Sequence, residues 1–135
     1  MVERLIIKAR REGFDNFIFS VNYLSHKIIN YFKDGKKWGA NIRYIKEKKP
    51  LGTIGSLSLI KDKIKSTLIV TNCDILINYN YEEILKFHIN KKFDLTIVAT
   101  KKKYKLPYGS CIINNKNILL KIEEKPEYNF LINSG

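Results

Sequence analysis

The sequence predicts a layered α/β sandwich on a mainly parallel sheet, and three observations carry that prediction. Segments with apolar residues at helical spacing alternate with short apolar runs along most of the chain. Two of those runs, TLIVTN (67–72) and DLTIVAT (94–100), have the composition of strands buried on both faces of a parallel sheet. Only towards the end does the alternation give way to a hairpin pattern, which adds a small antiparallel part to an alternating body.

Taken in order, residues 1–12 place Val2, Leu5, Ile6 and Ala9 at helical spacing, with Gly13 where a helix C-cap belongs. FIFSV (17–21) is a short strand. Residues 24–34 form a second amphipathic helix that ends at Gly35, with Leu24, Ile28, Tyr31 and Phe32 on its inner side. NIRYIKE (41–47) is again strand-like. The loop KEKKPLGTIGSL (46–57) follows, and Leu57, Ile60 and Ile64 continue a third helix out of it. After TLIVTN comes a fourth helix over 81–90, then DLTIVAT. YGSCIIN and NILLKIE flank Asn114-Asn115-Lys116 and predict the hairpin.

No linker, internal repeat or low-complexity tract interrupts the 135 residues beyond the Lys101–Lys103 run, so one domain is expected. The chain opens directly into a helix and stops at Asn133-Ser134-Gly135 behind an apolar FLI run. Neither end has the polar fade of a domain boundary, and the sequence reads as cut at both.

An apolar fraction of 44% and a charged fraction of 28% fit a folded chain and exclude a disordered one. No apolar run reaches the length of a membrane span, and the N-terminus has no signal-peptide layout. With only Cys73 and Cys111, neither a disulfide framework nor a zinc site is expected, which favours a reducing, cytoplasmic setting. The net charge of +12 would suit nucleic acid, an anionic surface or phosphorylated small molecules. Only four of the 25 basic residues are Arg, however. A groove that reads bases or clamps phosphates bidentately favours Arg, so nucleic acid is not the expected partner.

Four places offer chemistry. Asp74 stands just past TLIVTN, at the strand end where open α/β sheets bind ligands. A carboxylate there suits Mg²⁺, and it equally suits a plain turn. In the 46–57 loop, Gly52 offers a positive φ or room for a flat base against the main chain. Thr53 is placed to cap a helix whose N-terminus favours anions, although a simple strand-to-helix turn uses the same residues. Tyr108-Gly109 and Glu123-Glu124-Lys125-Pro126 bracket the hairpin. A Glu can accept from sugar hydroxyls and a Lys can meet a phosphate, or the pair is an exposed turn stopped by Pro. His26 and His88 lack metal-ligand spacing, Cys73 and Cys111 read as small buried residues, and Trp38 beside Gly39 reads as a packing anchor.

In this order the segments resemble the sugar-phosphate nucleotidyltransferases, the nucleoside-diphosphate-sugar pyrophosphorylases. The resemblance runs through REGFDNFIFSVNYLSHKIINYF, DGKKWGANIRYIKEKKPLGTIGSL, LIVTNCDILIN, YG, IEEKP and LINSG. The PLGT-x-G segment followed by a strand ending in N-x-D is its most specific part. The resemblance implies a Rossmann-like three-layer α/β/α sandwich and transfer of a nucleotidyl group from an NTP to a sugar-1-phosphate, with Mg²⁺ and release of pyrophosphate. It implies that Glu47, Pro50 and Gly52 line the nucleobase pocket with Thr53 close by, and that Asp74 holds Mg²⁺ and acts in catalysis. It places Gly109, Glu124, Lys125 and Asn133 at the sugar phosphate, with Lys125 also catalytic.

The departures shape a further expectation. The family's GGxGxRLxPxT loop and a lysine before the first long helix do not occur in these residues, and Asn72-Cys73-Asp74 replaces N-G-D. A second Mg²⁺-binding Asp is expected beyond Gly135, and the family's central first strand before Met1. The resemblance therefore implies a chain that is marginally stable and inactive by itself. Two alternatives stay open: an inactive domain that binds a nucleotide or nucleotide sugar, and a basic nucleic-acid-binding α/β module. Base and sugar are not legible beyond a lean towards mannose- or glucose-type substrates, and neither is the oligomeric state.

Overall fold

The computed structural model describes residues 1–60, 64 and 66–133. They fall into two compact units, Met1–Thr96 and Ile97–Ser134. Each is described by itself.

The first unit opens with helix α1, Val2–Arg11. Its end is set by Gly13, which takes φ +88 while its N–H and that of Phe14 donate back to Arg10 O and Ala9 O. Only glycine adopts that conformation without a Cβ penalty, and the two bonds satisfy carbonyls the helix leaves open. Strand β1 (Asn16–Val21), helix α2 (Ser25–Phe32) and strand β2 (Asn41–Lys46) follow. β1 and β2 pair in parallel, with Phe17 opposite Ile42 and Phe19 opposite Tyr44. Because side chains alternate across a strand, these four share one sheet face. Ile6 of α1, Phe32 of α2, Ala40 and Ile42 form the buried core on that face, with Phe17, Phe19, Ile28, Trp38 and Tyr44 packed against it. Trp38 is the anchor expected, its ring 4.9 Å from that of Phe32.

Helix α4 (Tyr81–Lys91) is capped twice. The Asn80 side chain accepts from Glu82 N and Glu83 N, and the carboxylate of Glu12 accepts from Tyr81 N at 2.6 Å. Lys8 adds its ammonium to Tyr79 O at 2.7 Å and lies over the Tyr81 ring. The end of α1 thus holds the start of α4 through charge-assisted bonds.

The middle of the unit departs from expectation. The helix after the glycine loop is one turn, α3 (Gly52–Gly55), which tightens to a 3₁₀ turn over Ser56–Leu59 and stops where Ile60 becomes extended. The run TLIVTN forms no ladder: Leu68 and Val70 are exposed, and Asp74 follows in a turn rather than at a buried strand end. DLTIVAT is corrected too. Among the described residues its first five enter no strand ladder, and strand β3 begins only at Ala99 and runs to Lys105. An apolar run becomes a strand only if another strand meets its N–H and C=O groups, and among the described residues none does here.

The second unit is antiparallel. β3 pairs with β6 (Glu127–Asn133), and β4 (Ser110–Ile113) pairs with β5 (Leu119–Glu123) in the predicted hairpin, with an irregularity at Ile112/Ile113. Among the described residues the architecture is therefore mixed α/β with three two-stranded sheets rather than an assembled three-layer sandwich on one mainly parallel sheet.

Candidate functional site

Parallel strands bring their carboxyl ends to one edge, and the Lys46–Leu57 loop leaves from that edge. Glu47 organises it. Its N–H donates to Val21 O at 2.9 Å, extending the β1–β2 ladder by one residue. One carboxylate oxygen accepts from the Ser20 hydroxyl, and the other accepts from Leu51 N at 3.1 Å. Lys48, Lys49 and Pro50 are exposed on the arch between these two anchors.

The two glycines of the loop answer different demands. Gly52 takes φ +76, and a Cβ there would meet no protein atom within 4 Å. Its requirement is conformational. Gly55 has an ordinary φ, but a Cβ would stand 2.9 Å from the Leu51 Cβ. Its requirement is steric, since it seats Leu51. The N-cap of α3 is Leu51, so Thr53 lies inside the helix and not at the capping position expected. A helix of four residues also offers little dipole for an anion.

Asp74 is exposed and makes no hydrogen bond or ion pair among the described residues. Among the described residues no group of three His, Cys, Asp or Glu side chains comes together there either. One free carboxylate fits Mg²⁺ in its usual role, where one or two carboxylates share the ion with water and phosphate, and not an all-protein cage. Neighbouring Cys73 is exposed, as is Cys111, against the expectation of small buried residues. Cys73 sits in an open turn and Cys111 on an exposed ribbon. His88 is structural as expected, its Nδ1 2.9 Å from Thr96 Oγ1.

In the second unit, Gly109 and Glu124 come together across the hairpin, beside the Ser110–Glu123 pair. A Cβ on Gly109 would lie 3.1 Å from Glu124 Oε2. Lys125 takes φ +47, a left-handed conformation, immediately before Pro126. Proline disfavours compact conformations in the residue before it, so this turn is strained. Leu106 N donates to Pro126 O at 3.0 Å and ties the turn to the end of β3. Asn133 closes β6, opposite Ala99. The structure thus joins Glu47, Pro50 and Gly52 in one loop, and Gly109, Glu124 and Lys125 around one hairpin. A hollow of about 360 Å³ over α1, lined by Arg4, Ile7, Lys8, Arg11 and Glu12, contains none of them. Sequence reasoning missed Ser20. Its one signal was position, next to last in a strand whose parallel neighbour ends beside Glu47.

The described residues contain no helix long and apolar enough to cross a membrane. The chain is 33% identical over 133 residues to the mannose-1-phosphate guanyltransferase of Saccharomyces cerevisiae, covering 94% of this chain and 37% of that protein. It is 32% identical over 128 residues to the probable mannose-1-phosphate guanylyltransferase 3 of Oryza sativa subsp. japonica, covering 90% and 36% respectively. The chain spans little more than a third of these curated relatives. Among solved structures, HddC from Yersinia pseudotuberculosis superposes with a TM-score of 0.69 at 26% identity, over 98% of this chain and 59% of that one. The same protein complexed with GMP-PN gives the same TM-score at 24% identity. The family profile described as nucleotidyl transferase matches residues 1–135, the whole of the chain, and the chain belongs to that family.

Proposed function

We propose that the chain is part of a sugar-1-phosphate nucleotidyltransferase of nucleotide-sugar biosynthesis, which joins an NTP to a sugar-1-phosphate and releases pyrophosphate. The observation that carries this reading is the family match along the whole chain. The names of the relatives favour GTP and mannose-1-phosphate. In this reading the carboxylate-closed loop presents Pro50 and Gly52 to the nucleobase, with Glu47 behind it and Thr53 adjacent. Glu124 accepts from sugar hydroxyls, the ammonium of Lys125 meets the sugar phosphate, and Gly109 and Asn133 flank them. A phosphate oxygen of the sugar attacks the α-phosphorus, and the protein's work is positioning and charge stabilisation. Asp74 would hold Mg²⁺, which when bound supplies positive charge against the departing pyrophosphate. In a protein of the relatives' length, the unpaired runs 67–72 and 94–98 would become strands of a Rossmann-like three-layer sandwich.

Isothermal titration of GTP with Mg²⁺ into the chain tests the nucleotide half of the reading. Saturable binding is expected, weakened at least tenfold by Gly52→Val and far less by Lys48→Ala. Gly52→Asn separates the two demands at this glycine, because Asn tolerates a positive φ but adds bulk. If Asn binds as glycine does, the residue serves the turn alone. Asp74→Asn, placed in a protein of the relatives' length, is expected to abolish Mg²⁺-dependent pyrophosphate release without unfolding it. Unchanged turnover there would remove Asp74 from the mechanism. A second reading, nucleotide binding without transfer, rests on Asn72-Cys73-Asp74, which puts a side chain where the family has the glycine of N-G-D. Binding with no pyrophosphate release even at the relatives' length would select it.

A further inference from the structure

We infer that Ser20 is a positioning residue for the nucleotide loop, acting through Glu47. The inference rests on the function proposed above. Ser20 stands next to last in β1, on the sheet face opposite Phe17 and Phe19. It therefore contributes nothing to the Ile6 core, and its side chain is exposed. Its hydroxyl donates to one oxygen of Glu47, and the other oxygen takes Leu51 N at 3.1 Å. A carboxylate bonded at both oxygens is held in one orientation. Released at one of them, it can rotate about its terminal torsion, which is broad for Glu.

What that orientation fixes is the arch. Glu47 is pinned at its main chain to Val21 O, and Leu51 is pinned by its seat on Gly55. Between these points the Glu47 carboxylate accepts from Leu51 N, the amide directly before the left-handed Gly52. Ser20 thus sets how tightly the loop is closed before a nucleotide arrives, and a preformed loop loses less freedom on binding.

The test uses the full chain and two variants, Ser20→Ala and Ser20→Thr. Hydrogen exchange at the Leu51 amide is expected to speed up about fivefold in Ser20→Ala, the size of one net hydrogen bond. The amides of the β1–β2 ladder should keep their rates. GTP affinity should fall by about the same factor, and Ser20→Thr, which retains a hydroxyl, should restore both. An unchanged Leu51 amide in Ser20→Ala overturns the proposal. So does GTP binding that is equal in wild type and Ser20→Ala, and in that case the function proposed above still stands. A wild-type chain that binds no GTP overturns that function, and with it the purpose assigned to Ser20.

Discussion

The βαβ region around Ile6 and the two ribbons beyond Ile97 spend the same kinds of apolar residue to opposite effect. Ile6 is 1% exposed and Ile42 5%, whereas Leu120 is 63% exposed and Leu131 73%. Hydropathy does not separate them; layering does. In the first region two helices cover one face of the sheet, so each apolar side chain has a second layer to meet. In the second, each sheet is two strands with no helix of its own, and a two-stranded ribbon is marginal in water. Stability should therefore concentrate in residues 1–47, the part that also carries the Glu47 loop.

The largest expected effect tests that contrast directly. Ile6→Ala should cost about 3 kcal/mol, because the site is sealed and cannot collapse fully. Leu131→Ala should change stability by no more than about 0.5 kcal/mol. Urea unfolding followed by fluorescence of Trp38, the single tryptophan, reads the first region, and far-ultraviolet circular dichroism reads the ribbons. A Leu131 variant as damaging as the Ile6 variant would mean that the ribbons are buried in solution, and would break the comparison.

A smaller effect with the opposite sign comes from the turn that closes α2. Lys33 holds φ 48 and ψ −130, a region open to glycine and costly to any other residue. Its contribution is main-chain, since its carbonyl accepts from the Tyr44 hydroxyl at 2.6 Å. Lys33→Gly keeps that bond and relieves the strain, so it should stabilise the first region by about 1 kcal/mol. A lower urea midpoint would show that the strain is absent or that the lysine side chain matters.

The smallest effect concerns acid. Asp34 is held below its ordinary carboxyl range by a hydrogen bond from the Lys36 ammonium first, then by the Lys36 N–H. Glu127, in the second unit, is lowered in the same way by Lys103. A depressed folded pKa contributes stability that is present above the ordinary carboxyl range and is lost as pH falls through the lowered value. Asp34→Asn should therefore flatten the decline in Trp38-monitored stability below about pH 4. Glu127→Gln should leave that decline as it is. Both pairs are exposed, so the slopes will be shallow. Equal responses would mean that the two units unfold together.

The sequence by itself determined what depends on neighbours within about four residues. α1 with its glycine stop, α2, α4 and the hairpin around Asn114 all lie close to where periodicity and turn residues put them. β1 and β2 were legible as well, because one short crossover brings them side by side. Of the candidate site, the glycine loop and the two segments that bracket the hairpin were legible as pieces, whereas the turn that holds Asp74 and the contact between Gly109 and Glu124 came from the structure. Tertiary structure decided the rest. TLIVTN and the start of DLTIVAT have strand composition but no ladder, since a strand needs another strand's N–H and C=O groups and no periodicity supplies them. The exposure of Cys73 and Cys111 was likewise decided by the tertiary structure. Gly55 is fixed by the Leu51 side chain and not by its own dihedrals. Ser20 became visible only when a parallel register carried it to within a hydrogen bond of Glu47, a residue 27 positions away in the chain.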